Sequence, residues 1–100
     1  MTYRLSIRRR AADDLVGARN WYDEQSDGLG TKFFIRVEQT LDRIAESPQR
    51  FPLVTADVRK ASVLGFPYKV FFRMRGNTVR VIAVFHHSRD PEIVVFRLNQ

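Results

Sequence analysis

A chain of 100 residues, 44% of them hydrophobic and twelve of them aromatic, has material for one core and so for a single domain spanning 1–100. The absence of cysteine excludes disulfides and thiolate-bound zinc, and no apolar run approaches the ~18 residues of a membrane span, so a soluble cytoplasmic protein without membrane association is expected. The net charge of +6 is uneven, with nine Lys/Arg against eight Asp/Glu in residues 1–50 but eight against three in residues 51–100; such a field favours an anionic partner or serves solubility.

Residues 2–8 set Tyr3, Leu5 and Ile7 against Arg4, Ser6 and Arg8, the period-two pattern of a half-buried strand. The first ten residues hold no apolar stretch of the kind a secretory leader needs. Ala11, Leu15, Ala18 and Tyr22 then recur at helical spacing, which predicts a helix from Arg9 to Gln25 with Ser26-Asp27-Gly28 as its stop. Phe33/Phe34, Val37, Leu41 and Ile44 predict a second helix, ended by Ser47-Pro48 because the residue before proline disfavours the α region. The short connection makes the two helices an antiparallel hairpin.

Residues 48–57 read as a loop, followed by a strand over 58–64. After Gly65-Phe66-Pro67, alternation from Tyr68 to Arg75, a Gly76-Asn77 turn and the run from Thr78 to His86 predict a β-hairpin. Residues 93–96, Ile-Val-Val-Phe, are expected to add a last short strand after Pro91. The fold class is therefore α+β in the order β-α-α-β-β-β, a helical hairpin packed on one face of a mainly antiparallel sheet. The other face should then be cationic, since Lys69, Arg73 and Arg80 fall on the polar phase of their strands. A domain this small has modest stability alone and responds to a bound partner.

Several elements occur in a characteristic order: Ala12-x-x-Leu15 leading to Trp21-Tyr22 and Gly28-Leu29-Gly30; Phe33-Phe34 before Leu41-x-x-Ile44; Ser47-Pro48 and Phe51-Pro52; Arg59; Phe66-Pro67-Tyr68-Lys69-Val70; and Phe85-His86-x-x-Arg89-Asp90-Pro91. With them the chain resembles the ParE/RelE toxin superfamily over nearly its whole length, closer to the ParE-like members. The resemblance implies the toxin of a type II toxin-antitoxin system, associated with plasmid stabilization and growth arrest and neutralised in a hetero-oligomer by a cognate antitoxin. On that reading Trp21, Tyr22, Leu29, Phe33 and Arg80 are candidates for antitoxin contact, the alternative being that the apolar ones close the core. The chain departs from many relatives at Val94, where they carry tryptophan ahead of the final arginine.

ParE-like members inhibit DNA gyrase, whereas RelE-like members are metal-independent ribonucleases that cut mRNA on the ribosome. The expected activity is gyrase inhibition without bond cleavage, with Arg59, Lys60, Lys69, Arg73, Arg89 and Arg97 as target contacts. The first alternative is a ribosome-dependent ribonuclease using Lys69, His86 and Arg89. Its cations would stabilise phosphate charge, but residues 93–96 lack the C-terminal tyrosine often found in RelE-like enzymes, so a histidine, which titrates near neutrality, would have to move the proton. Neighbours on a strand face opposite ways, so only one histidine should join the site, and unbroken alternation selects His86 over His87. A further alternative is a non-toxic basic nucleic-acid-binding module.

No cofactor or metal is expected: the two histidines are adjacent and lack a carboxylate cluster beside them, and Gly28-Leu29-Gly30 reads as a helix-helix turn without the lysine-serine pair of a phosphate loop. Asp90 is expected to pair with an arginine or to start the turn at Pro91. Arg8-Arg9-Arg10, at a strand-to-helix junction, could grip phosphate, but it stands at the unfavourable end of a helix for cations and is expected to be solvated or to pair with Asp13, Asp14 or the antitoxin.

Overall fold

The stripe Ala11, Leu15, Ala18 and Tyr22 is buried along one side of α1 (Arg9–Gln25), and Phe33, Val37, Leu41 and Ile44 are buried along α2 (Leu29–Glu46), as their spacing predicts. In this computed structural model, which describes residues 2–90 and 92–98, Gly28 adopts φ 84° and turns the chain between the helices. Gly30 then lets them touch. A Cβ there would stand 2.5 Å from the Arg19 carbonyl oxygen, and its N–H donates to Asp23 Oδ1 at 2.7 Å. Pro91 lies outside the described residues.

The strands are β1 (Arg4–Ile7), β2 (Leu53–Thr55), β3 (Val58–Ser62), β4 (Tyr68–Arg75) and β5 (Thr78–His86), in the spatial order β1-β5-β4-β3-β2. β1 runs parallel to β5 and every other pair is antiparallel, so the sheet is mainly antiparallel as expected. The segment expected to be a plain loop holds a 3-10 turn at Pro48–Arg50 and the three-residue β2. Three exposed or half-buried residues are too few for a periodic signal.

The helical hairpin packs on one face of the sheet against Ala61, Val63, Val70, Phe72, Val79, Val81 and Val84. Tyr22 and Phe33 each meet Phe66 and Tyr68 edge to face there, with Tyr22 and Phe66 centroids 5.0 Å apart. The second face is not bare. Residues 93–96, expected as a strand, belong to a helix, α3 (Glu92–Leu98), which lays Ile93, Val94 and Leu98 over Val58, Phe71, Ile82, Ala83 and Phe85. Their helical spacing and the apolar sheet surface override the β preference of Val-Val-Phe. Burying Val94 is worth about 1.5–3 kcal/mol against leaving it in water. Asp90 starts this helix, its Oδ1 accepting the Glu92 N–H at 3.0 Å.

One irregularity decides which side chains face which way. Phe71 pairs with Ala83 but Phe72 pairs with Val81, so Ile82 has no partner and β5 carries one extra residue. Val79 and Val81 face the helical hairpin before the slip, and Val84 does so after it. His86 therefore lies in phase with Val84, and its ring meets Tyr68 at 5.3 Å.

Beyond the end of β1, the outer edge of β5 is closed by side chains. The Val84 N–H donates to Asp14 Oδ2 at 3.0 Å, and Arg97 Nη1 donates to the Ile82 carbonyl at 3.1 Å. Such groups would otherwise be open to pairing with another chain.

Candidate functional site

Lys60 from β3, Lys69 from β4 and Arg89 after β5 converge with His86, His87 and Asp90 on a cleft of about 90 Å³ beside α3. Phe71, Phe85, Val94 and Val54 supply its apolar lining. The register builds it: Lys60 stands opposite Phe71, and Lys69 opposite Phe85. The Arg89 N–H donates to the His86 carbonyl at 3.0 Å, and the guanidinium carbon lies 4.7 Å from the Phe85 ring centroid.

Both histidines reach the cleft, contrary to the expectation that one must face away. β5 ends at His86 and His87 lies in the following turn, so strand alternation does not apply; their rings stack at 4.8 Å. His86 Nδ1 accepts the Ser88 N–H at 3.1 Å, which assigns the proton of its neutral form to Nε2. His87 Nδ1 lies 3.2 Å from the Pro67 carbonyl and donates to it, leaving Nε2 as an acceptor. One imidazole can therefore donate, and the other accept, from an atom not used internally.

At about 90 Å³ the cleft has room for roughly three waters at ~30 Å³ each, and falls well below the ~300 Å³ of a small-molecule pocket. It suits one anionic group or one partner side chain, held by the cations at its rim.

The other expected contacts lie elsewhere. Arg59 turns to the 3-10 turn, donating to the carbonyls of Phe51 at 2.6 Å and Gln49 at 3.3 Å. Arg73 forms a two-point ion pair with Asp57 at 2.6 and 3.2 Å, and Arg75 joins the same carboxylate at 3.0 Å. Those hydrogen bonds, Arg73's foremost, hold the Asp57 carboxyl at about 2, below the ordinary aspartate value, against the opposing effect of burial. Arg80 stands opposite Arg73 across the strands, its Nε buried without a hydrogen-bond partner. Arg97 is latched to Asp14. The single cationic face expected for the sheet is thus divided by α3 and by internal ion pairs.

Among the candidates for antitoxin contact, Tyr22 and Phe33 are core residues, 8% and 0% exposed, and Leu29 is half-buried against the same core. The core alternative holds for Tyr22 and Phe33; Leu29 keeps part of its surface exposed. Trp21 is 55% exposed and lines a second, open groove of about 410 Å³ with Gly17, Ala18, Tyr68, Val84, His86 and Arg89. No group of three or more His, Cys, Asp or Glu among the described residues is placed to hold a metal ion. No helix among them is long and apolar enough to cross a membrane.

Sequence reasoning did not find Val54, on a strand too short to see, or the Ser88 bond that sets the His86 tautomer. Nor did it find the meeting of Arg97 with the Arg8-Arg9-Arg10 run at a groove floored by Ile82. That juxtaposition follows from α3, which β propensity hides.

With this arrangement in place, residues 5–91 match the family model described as ParE toxin of type II toxin-antitoxin system, parDE. The chain belongs to the ParE toxin family. It is 27% identical over 95 residues to Toxin ParE2 of Mycobacterium tuberculosis, an alignment covering 94% of this chain and 90% of that protein. It is 28% identical over 80 residues to Toxin RelE2 of Caulobacter vibrioides, covering 80% and 90% respectively. Among solved structures, the chromosomal ParDE system from P. aeruginosa superposes with a TM-score of 0.76 at 17% identity, covering 85% of this chain and 96% of that one. A mutant of the E. coli toxin RelE in the free state gives 0.72 at 18% identity, covering 99% and 97%. These likenesses show the ParE/RelE fold, and one fold can carry more than one activity.

Proposed function

We propose that this ParE-family toxin arrests growth by inhibiting DNA gyrase and is held inactive by a cognate antitoxin. The observation that carries the reading is the family match over residues 5–91. The site geometry supports it. The C-terminal segment is a helix whose Ile93, Val94 and Leu98 pack on the sheet, and it carries no titratable hydroxyl beside the cations. Lys60, Lys69 and Arg89 are then contacts for the target, and the cleft takes one of its acidic side chains or a phosphate.

The antitoxin occupies the groove marked by Trp21. An amphipathic segment would place an apolar side chain beside the exposed indole and an acidic one near Arg89. The solved relatives include the ParDE system and an intact E. coli RelBE toxin-antitoxin complex, which is in keeping with a protein partner of this kind.

The decisive experiment measures supercoiling by purified gyrase with and without this protein, beside cleavage of a ribosome-bound transcript. Loss of supercoiling with an intact transcript is the expected result, and the reverse pattern rejects it. One observation favours that reverse reading, a RelE-like ribonuclease: Lys69, His86, His87 and Arg89 share one cleft, with one imidazole nitrogen disposed to accept a proton and another to donate one. His87→Ala separates the two, since His87 lines the cleft but not the Trp21 groove, and a ribonuclease would lose toxicity while keeping its antitoxin.

A further inference from the structure

The sequence places three arginines where a helix least tolerates them. Arg8 is the N-cap of α1, no side chain caps that end, and the first turn holds no acidic residue. Arg9 and Arg10 therefore add positive charge to the positive end of the helix dipole, where Asp or Glu would stabilise it. Local rules of this kind are broken most often at functional sites, which directs attention to what surrounds Arg9 and Arg10.

α3 brings a fourth arginine to the same place. Arg8, Arg9, Arg10 and Arg97 line an open groove of about 220 Å³, with Ile82 the other described residue in its lining. It continues into a wider groove of about 510 Å³ where Asp13 and Asp14 join Arg9, Arg10 and Arg97. Arg97 and Asp14 neutralise each other in their ion pair, so the positive charge of the described lining is carried by Arg8, Arg9 and Arg10 against Asp13, a net +2.

We infer that this arginine-lined groove grips the phosphate backbone of duplex DNA, a contact made by the toxin itself and independent of whether gyrase is its target. Guanidinium groups match phosphate oxygens, and the positive end of the α1 dipole lies beside them. The lining argues against a protein segment, because protein interfaces centre on apolar anchors and, among the described residues, Ile82 is the one apolar residue here. It argues equally against a single strand, which is held by bases stacking on aromatic rings, and no aromatic residue among the described residues lines either groove. A duplex, with its bases already stacked and its backbone outward, needs cations and nothing else.

Fluorescence anisotropy with a short labelled duplex of arbitrary sequence, titrated with the purified protein across a salt series, tests this. The protein should bind the duplex more tightly than a single-stranded RNA of the same length, with affinity falling steeply as salt rises. Arg9→Gln/Arg10→Gln should weaken duplex binding about tenfold or more at low salt and flatten the log-log salt slope by about 2, two phosphate contacts at ~0.9 each. The same variant should melt no lower than the parent, since it relieves charge at the helix start. Absence of binding at low salt, an unchanged slope in the double variant, or tighter binding to single-stranded RNA would each overturn the inference. A Lys60→Gln/Lys69→Gln variant that abolishes binding, while Arg9→Gln/Arg10→Gln retains it, overturns it as well. Gyrase supercoiling is read separately, so either result stands without the other.

Discussion

Asp14 and Arg97 meet in a two-point ion pair at 2.9 and 3.1 Å, although 83 residues separate them. The pair does more than neutralise charge: Asp14 also accepts the Val84 N–H, and Arg97 also donates to the Ile82 carbonyl. Their side chains are 17% and 12% exposed, so removing one leaves a mostly buried charge and an open backbone group. Asp14→Ala should cost about 2–4 kcal/mol of unfolding free energy in urea titration, and Asp14→Asn, which keeps an acceptor for Val84, should cost less.

Gly30 and Gly17 make opposite predictions from the same substitution. A methyl group at Gly30 meets the Arg19 carbonyl oxygen at 2.5 Å and must force the helices apart, whereas nothing lies within 4 Å of one at Gly17. Gly30→Ala should destabilise by about 1–3 kcal/mol through overpacking. Gly17→Ala, in the interior of α1, should stabilise by about 0.5–1 kcal/mol through the entropy of the unfolded chain. Thermal unfolding of the two variants side by side checks the sign of each.

Acid should remove the Asp57 clamp. Its carboxyl is held at about 2 when folded, chiefly by the Arg73 hydrogen bonds, against about 3.9 in an unfolded chain. Below 3.9 the unfolded state takes up the proton first, so the stabilisation is complete above that value and lost as pH falls through about 2. Asp57 is half exposed and the effect is screened accordingly. Asp57→Asn should flatten the stability-pH curve in that window and leave its shape above pH 5 unchanged.

Alkali should act through Tyr22 and Tyr68. Burial is the foremost cause that raises both phenols above 10, and for Tyr22 the Tyr68 charge adds to it. Above 10 the unfolded chain loses these protons while the folded one keeps them, so stability falls as pH rises until the folded groups ionise too. Denaturant midpoints between pH 8 and 11 should decline for the parent and decline less for Tyr22→Phe.

The helices and the β4-β5 hairpin were legible because their apolar spacing extends over many residues and turn residues bound them. The stripe that includes Tyr22 also told which of the adjacent pair Trp21-Tyr22 faces inward. α3 was not legible, being seven residues rich in β-branched types. Its indirect trace is the run Val81-Ile82-Ala83-Val84-Phe85, buried at every position, which a sheet covered on one side does not need. The slip at Ile82 left no trace that alternation can read, so the face of His86 was lost with it. The cleft cations Lys60, Lys69 and Arg89 were found as types, but how many cations stay out of internal pairs depends on distant partners such as Asp57 and the Phe51 carbonyl.

β5 is bordered by β1 on one side and β4 on the other, and both α1 and α3 rest on it. A nascent chain that has not yet delivered residues 78–86 therefore has a first strand with nothing to pair with and a helical hairpin with little to sit on. Closure of the sheet waits until residues 78–86 have been made, so the surfaces that β5 supports come into being together rather than piecemeal.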